Sequence, residues 1–304
     1  MILITGATGF IGSNIARELL DRNYMVCAIY RNSSSFEKCA DIKNKITWVN
    51  SDAPDWKYKI QELNPKQLIH TAWGGVGAKD RNDWELQINN FWFSKELFDL
   101  VKTCDIKKVI AFGSQAEYGS QGFAVNEETS PKPDDAYGAV KTMTAHYMRN
   151  IFEKTEIAWY WVRVFSVFGE FENSNWLIPT VISKLLNNRS IQLTKCEQQY
   201  NYLYIKDFTS QLLGIIDSIE NKSGVYNICD SKSVSLQQLL RTITEFMGVP
   251  EQFLEFGAIP YREGQNMLIA GDNTKFKKNF PISTKIGLNE GLNRTIKHHK
   301  ERLL

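Results

Sequence analysis

Tyr137 and Lys141 stand four residues apart in a helical pattern that follows Pro133-Asp134-Asp135, a spacing that puts both side chains on one helix face. The chemistry open to such a pair is proton transfer. A free phenol has a pKa of about 10, and a neighbouring ammonium favours the phenolate and brings the group toward neutral pH. Alone, this spacing recurs by chance in many helices; Ser114, just beyond the strand-like run Lys108 to Phe112, gives it weight. A serine hydroxyl, a tyrosine acid and a nicotinamide would surround a carbonyl carbon with an orienting group, a proton donor and a hydride source.

A hydride source needs a cradle, and Thr5-Gly6-Ala7-Thr8-Gly9-Phe10-Ile11-Gly12 supplies its pattern. Met1 to Ile4 read as a short buried strand and Ile11 to Leu20 as an amphipathic helix. Gly6, Gly9 and Gly12, with Thr8, Phe10 and Ile11, therefore stand where a backbone turns tightly and meets a pyrophosphate at a helix N-terminus. The next strand, Met25 to Tyr30, ends in Arg31-Asn32-Ser33. NAD enzymes place a carboxylate at about this point for the ribose 2′-hydroxyl; Arg31 suits a 2′-phosphate, so NADP(H) is the predicted cofactor. Arg31 as a plain surface residue is the alternative. Asp52 fits either an acceptor for the adenine amine or a local cap.

The elements that must position these residues alternate. Strand-like runs at Ile46 to Val49, Gln67 to His70, Lys108 to Phe112 and Ala158 to Val164 are separated by helical stretches such as Trp84 to Lys102 and Tyr137 to Phe152. Alternation of this kind predicts an α/β fold, a Rossmann-type doubly wound parallel sheet that binds ligands at the strand C-termini. After about Gly169 the pattern loosens, with helices at Trp176 to Asn187, Asp207 to Ser218 and Leu236 to Met247. The expected division is a cofactor-binding domain over 1–168, with segments near 200–230 returning to it, and a smaller C-terminal α/β substrate lobe over 169–304.

Composition narrows the partners. With 304 residues, 43% hydrophobic content and a formal charge of +2, the chain can bury a large core and offers nothing to attract nucleic acid. The basic run Lys297 to Arg302, with His298 and His299, reads as a solvated terminal helix. No apolar run approaches the ~18 residues of a membrane span, and the first strand opens at Met1 with no signal-like segment before it, which predicts a cytoplasmic protein. Five scattered cysteines without a CxxC pair fit reduced thiols, with no disulfide frame and no metal site.

Beyond single motifs, the chain resembles the extended short-chain dehydrogenase/reductases that act on nucleotide sugars, over almost its whole length. The markers run in order: Thr5 to Gly12, His70-Thr71-Ala72, Asn89 in the long helix, Gly113-Ser114-Gln115-Ala116-Glu117-Tyr118-Gly119, Tyr137 to Lys141, Arg163 to Gly169, Tyr202 to Asp207 and Tyr261-Arg262-Glu263-Gly264. The resemblance implies cofactor contacts at Asn32, Ala72, Asn89 and Arg163 besides those above. It implies substrate contacts at Trp73, Gln115, Ala116, Glu117, Ser166, Trp176, Tyr200, Tyr202 and Arg262, the last toward a nucleotide diphosphate. Trp73, Trp176, Tyr200 and Tyr202 also suit plain packing roles, and Glu117 a hydrogen-bonded turn. It further implies a homodimer through the Tyr137 helix and the Asn89 helix.

Departures from the family sharpen the expectation. The 4,6-dehydratases carry an Asp-Glu pair directly after the Ser/Thr, where this chain has Gln115-Ala116. GDP-fucose synthases, which epimerise before reducing, keep a cysteine where Ala116 stands. Ser166 replaces a usual asparagine and Tyr200 a frequent arginine. What the resemblance then implies is a 4-ketoreductase of nucleotide-linked 4-keto-6-deoxy sugars, akin to enzymes making dTDP-fucose, CDP-paratose or CDP-abequose. An epimerase with tightly bound NAD is the alternative, and a non-catalytic NADP sensor a further one.

Overall fold

The computed structural model describes residues 1–220, 222–282 and 285–302. The chain divides into two compact units. The first comprises Met1–Gly119, Thr129–Val164 and Ile215–Tyr226 and carries strands β1 (Ile2–Thr5), β2 (Val26–Tyr30), β3 (Thr47–Asn50), β4 (Gln67–His70), β5 (Lys108–Ser114) and β6 (Ala158–Val164). These pair in parallel, and the seven-stranded sheet runs Gly224–Ile228, β6, β5, β4, β1, β2, β3. This is the doubly wound α/β arrangement the alternation predicts. The order reverses between β1 and β4, the point at which open sheets of this class present ligand-binding loops.

Helices α1 (Phe10–Asp21), α2 (Trp56–Leu63), α3 (Trp84–Val101) and α4 (Ala136–Phe152) connect the strands. Strands buried on both faces read as continuous apolar runs, so β1 is Ile-Leu-Ile-Thr, all four buried. The core joins Leu3, Leu68 and Val109 of the sheet to Leu97 and Phe98 of α3 and Met148 and Phe152 of α4. Phe98 meets Phe152 edge-on at 5.8 Å, and each such ring contributes ~2 kcal/mol by burial. Asp83 caps α3 by accepting from Leu86 N, and Asp135 caps α4 by accepting from Gly138 N at 2.7 Å. The buried Lys108 ammonium donates to the carbonyls of Ile215, Ile216 and Ser218 at 2.7 to 2.8 Å.

The second unit comprises Ser120–Glu128, Phe165–Gly214 and Asn227–Leu304. Its strands are short: Ser166–Phe168 pairs with Tyr202–Tyr204, and Gln199–Tyr200 lies between Val234–Ser235 and Leu268–Ile269. Helices Leu177–Leu186, Leu236–Met247 and Leu288–Glu301 supply its core, with Ile182, Leu185, Ile243, Leu292 and Ile296 buried beside Phe168 and Tyr204. The carboxylate of Asp207 accepts from the backbone of Ile286 at 2.6 Å and Gly287 at 2.8 Å, fixing the turn that opens Leu288–Glu301. Among the described residues no helix is long and apolar enough to cross a membrane.

Candidate active site

The glycine turn leaves β1 and enters α1. Gly6 has φ +77°, a conformation that favours glycine, and a Cβ on Gly12 would lie 2.1 Å from the Gly6 carbonyl oxygen. Gly9 occupies the N-cap with no side-chain cap, so the first-turn N–H groups of α1 face outward from a bare backbone surface. The cradle fits a dinucleotide pyrophosphate. Beside it, Thr71 Oγ donates to the Thr5 carbonyl at 2.8 Å and Ala72 N donates to Thr5 Oγ at 3.2 Å, tying the β4 loop to the β1 loop.

At the end of β2, Arg31 is exposed and its backbone N–H donates to Ser34 Oγ at 3.0 Å. Asp52 accepts from Asn32 N at 2.7 Å, and Asn50 donates to the Asn32 side chain at 2.8 Å. Asp52 thus serves as a local cap in this structure. Asn89 lies on the exposed face of α3; its neighbour Asn90 turns inward instead, accepting from Gly74 N at 2.8 Å and donating to Gly74 O at 3.0 Å. One residue of helical rotation, 100° about the axis, separates the two.

Ser114, Tyr137 and Lys141 come together in the first unit. Ser114 ends β5, and its hydroxyl acts on the Tyr137 phenol, favouring the phenolate. Close approach is possible because a Cβ on Gly138 would lie only 2.4 Å from the Ala116 carbonyl, so the first turn of α4 rests against the Ser114–Glu117 turn. Burial pushes the Tyr137 phenol up, while the Ser114 hydroxyl and the Arg81 guanidinium pull it back. Burial likewise pushes Lys141 down to about 7, opposed by the Glu117 charge. Its Nζ donates to the Phe112 carbonyl and sits 3.5 Å from the centroid of the Trp73 ring.

Two cations face the phenol: Lys141, whose Nζ lies 5.9 Å from the Tyr137 ring centroid, and Arg81. Its guanidinium lies 4.6 Å from the Tyr137 ring centroid, Nε donates to Asp135 at 2.6 Å, and its carbonyl accepts from Tyr137 N at 2.9 Å. Trp73 meets Tyr137 edge-on at 6.2 Å, and Gln87 Oε1 accepts from its indole N–H at 2.8 Å. His70 bridges Thr5 and Ser94 and stays neutral, its pKa lowered to about 3 by burial and by Lys141. Arg81, Gln87 and Asn90 carry no motif in the sequence, because their partners lie on other elements.

Glu117 and Arg163 face each other inside the unit. The Glu117 carboxylate accepts from Ser114 N, Trp161 Nε1 and Arg163 Nε at 2.8, 2.9 and 2.8 Å, which leaves it none of its surface exposed. Ala116 is buried and Gln115 half-buried beside Ser114. The remaining expected substrate contacts lie in the second unit. Trp176 is exposed at the start of Leu177–Leu186, and Arg262 is exposed. Ser166 opens the strand Ser166–Phe168. Tyr200 donates to the Asn266 carbonyl at 3.0 Å, and burial raises the Tyr202 phenol.

Known proteins share this fold over nearly the whole chain. Over 80% of its length the chain is 24% identical to 80% of an Escherichia coli dTDP-4-dehydro-6-deoxyglucose reductase. A solved UDP-N-acetylglucosamine 4-epimerase from Methanobrevibacter ruminantium, in complex with UDP-N-acetylmuramic acid, is 25% identical with a TM-score of 0.87, covering 99% of this chain and 98% of that one. A dTDP-glucose 4,6-dehydratase from Bacillus anthracis, solved with NAD, shares the fold with a TM-score of 0.84 at 19% identity, covering 99% and 96%. A family model matches residues 2–229, and the chain belongs to the NAD dependent epimerase/dehydratase family.

Proposed function

We propose that this protein uses NADPH to reduce the C4 ketone of a nucleotide-diphospho-4-keto-6-deoxyhexose, with residues 1–168 serving the cofactor and 169–304 mainly the sugar nucleotide. The observation that carries the reading is the state of the carboxylates around Tyr137. Both that act on the phenol, Glu117 and Asp135, are engaged: Glu117 by three donors, Asp135 by Arg81 and the α4 N-terminus. Dehydration or epimerisation at neighbouring carbons needs a second acid and base, and Gln115-Ala116 offers none. Resemblance to the E. coli reductase supports the same reading.

In this mechanism the cofactor, when bound at the Gly6–Gly12 cradle, supplies the hydride. Ser114 orients the ketone oxygen, and Tyr137 holds its proton until the oxygen gains charge, then donates it through the phenol oxygen. Lys141 reaches the nicotinamide ribose and, once charged, adds its field to that of Arg81. Arg31 takes the 2′-phosphate. Two copies associate through α3 and α4, where Trp84, Trp92 and Met143 are exposed.

NADPH oxidation against a panel of dTDP-, CDP- and GDP-linked 4-keto-6-deoxy sugars tests the reading, with turnover expected on at least one and NADPH preferred over NADH. Absence of turnover on all of them overturns it. The likeness to a solved 4-epimerase supports a second reading, in which the purified protein retains NAD and releases it only on denaturation.

A further inference from the structure

We propose that Glu117 is a positioning residue: its enclosed carboxylate holds the backbone of Ser114 and sets the field in which Lys141 and Tyr137 hold their protons, without touching substrate. The inference rests on the reading above for the roles of those three residues. Its own support is geometric. Glu117 has no exposed surface and receives one N–H from β5 and two side-chain donors from β6. Room for this is reserved at Gly113, where a Cβ would lie 2.2 Å from Trp161 Nε1 and 2.3 Å from the Glu117 carboxylate. Any side chain at 113 breaks the arrangement.

Charge at this position is not needed for packing. Apolar residues of similar volume replace buried ion pairs with little loss of stability, so a fully enclosed Glu–Arg pair next to a reacting serine calls for another purpose. Two effects provide one. Ser114 N is held at 2.8 Å by the carboxylate while Ser114 Oγ accepts from Ala116 N at 3.2 Å, which fixes both ends of the serine. The negative charge also favours the protonated forms of Lys141 and Tyr137. The other charged or titratable groups facing them are His70 from β4 and Arg81 and Asp135 around the α4 N-terminus, while Arg163 from β6 faces the Glu117 carboxylate itself. Glu117 opposes the burial that strips Lys141 of its proton.

The test follows Lys141 directly in the full-length protein, by NMR titration of 13C-labelled lysine with its resonance assigned through loss in Lys141→Met. Glu117→Gln is expected to lower the Lys141 midpoint by ~1 unit, and Arg163→Gln, which removes the opposing cation, to raise it. Reduction by Glu117→Gln should show kcat lower by ~10-fold, KM for NADPH within about twofold, and an alkaline limb of kcat displaced to lower pH. An unmoved midpoint in both variants, or a lowered kcat with an unmoved limb, overturns the proposal. Should Glu117→Gln not fold, the opposite sign expected of Arg163→Gln still decides. The titration needs no substrate, so failure of wild-type turnover would sink the ketoreductase reading and leave this result standing on its own.

Discussion

A phenol that must give up its proton and take it back works best when neither state is strongly favoured, and Tyr137 is subject to opposing pulls. Burial favours the neutral form; Ser114 and Arg81 favour the phenolate. Removing only the hydroxyl, in Tyr137→Phe, should lower kcat by ~10² to 10⁴ with cofactor affinity nearly intact. Steady-state kinetics and NADPH titration of that variant check it, and wild-type turnover would remove Tyr137 from the acid role. Tyr137, Lys141 and Ser114 were legible together, since one helix and one strand end place them, although the four-residue spacing carried little weight without Ser114. Arg81, Gln87 and Trp161 were not, because each acts across elements. Glu117 left one local signal that could have been read further: Ser114-x-x-Glu117 is a capping box, and it forms.

Secondary structure in the first unit follows its pattern closely, because its strands are buried on both faces and its helices are long. The run read as Lys108 to Phe112 extends to Ser114, and the helix read from Tyr137 begins at Ala136. The strand Gly224–Ile228 went unread although Gly-Val-Tyr-Asn-Ile is a fair strand run. In the second unit the two- and three-residue strands are too short to show any period, so side chains do the work that ladders do elsewhere. Asp207 is the clearest case, one carboxylate holding the turn before Leu288–Glu301 with two short hydrogen bonds. Asp207→Ala should destabilise the protein by about 1–3 kcal/mol, by stranding two backbone N–H groups. Urea denaturation measures this, and an unchanged midpoint would dismiss the clamp.

For the whole molecule, stability carries the imprint of the buried lysines. Lys141 titrates at about 7 when folded and near 10.5 when unfolded, so the unfolded chain binds more protons between those values and stability rises with pH across that window. Below about 7 both states are charged and the folded protein bears the full cost. Lys108, lowered to about 8 by burial, adds in the same sense, whereas buried thiols such as Cys27, raised to about 12, act oppositely above about pH 8.5. Comparing variants isolates one group. Nucleotide-free Lys141→Met should gain stability over wild type most at pH 7 or just below, the gain shrinking toward pH 9. Urea midpoints at the two pH values check this, and a gain that grows with pH would contradict it. Lys108 extends the point to chemistry. Its amine sheds a proton readily, yet three carbonyls enclose it, so an acylating reagent meets it only when the chain opens. The rate at which that one nitrogen is labelled is a clock for unfolding, carried by the protein itself.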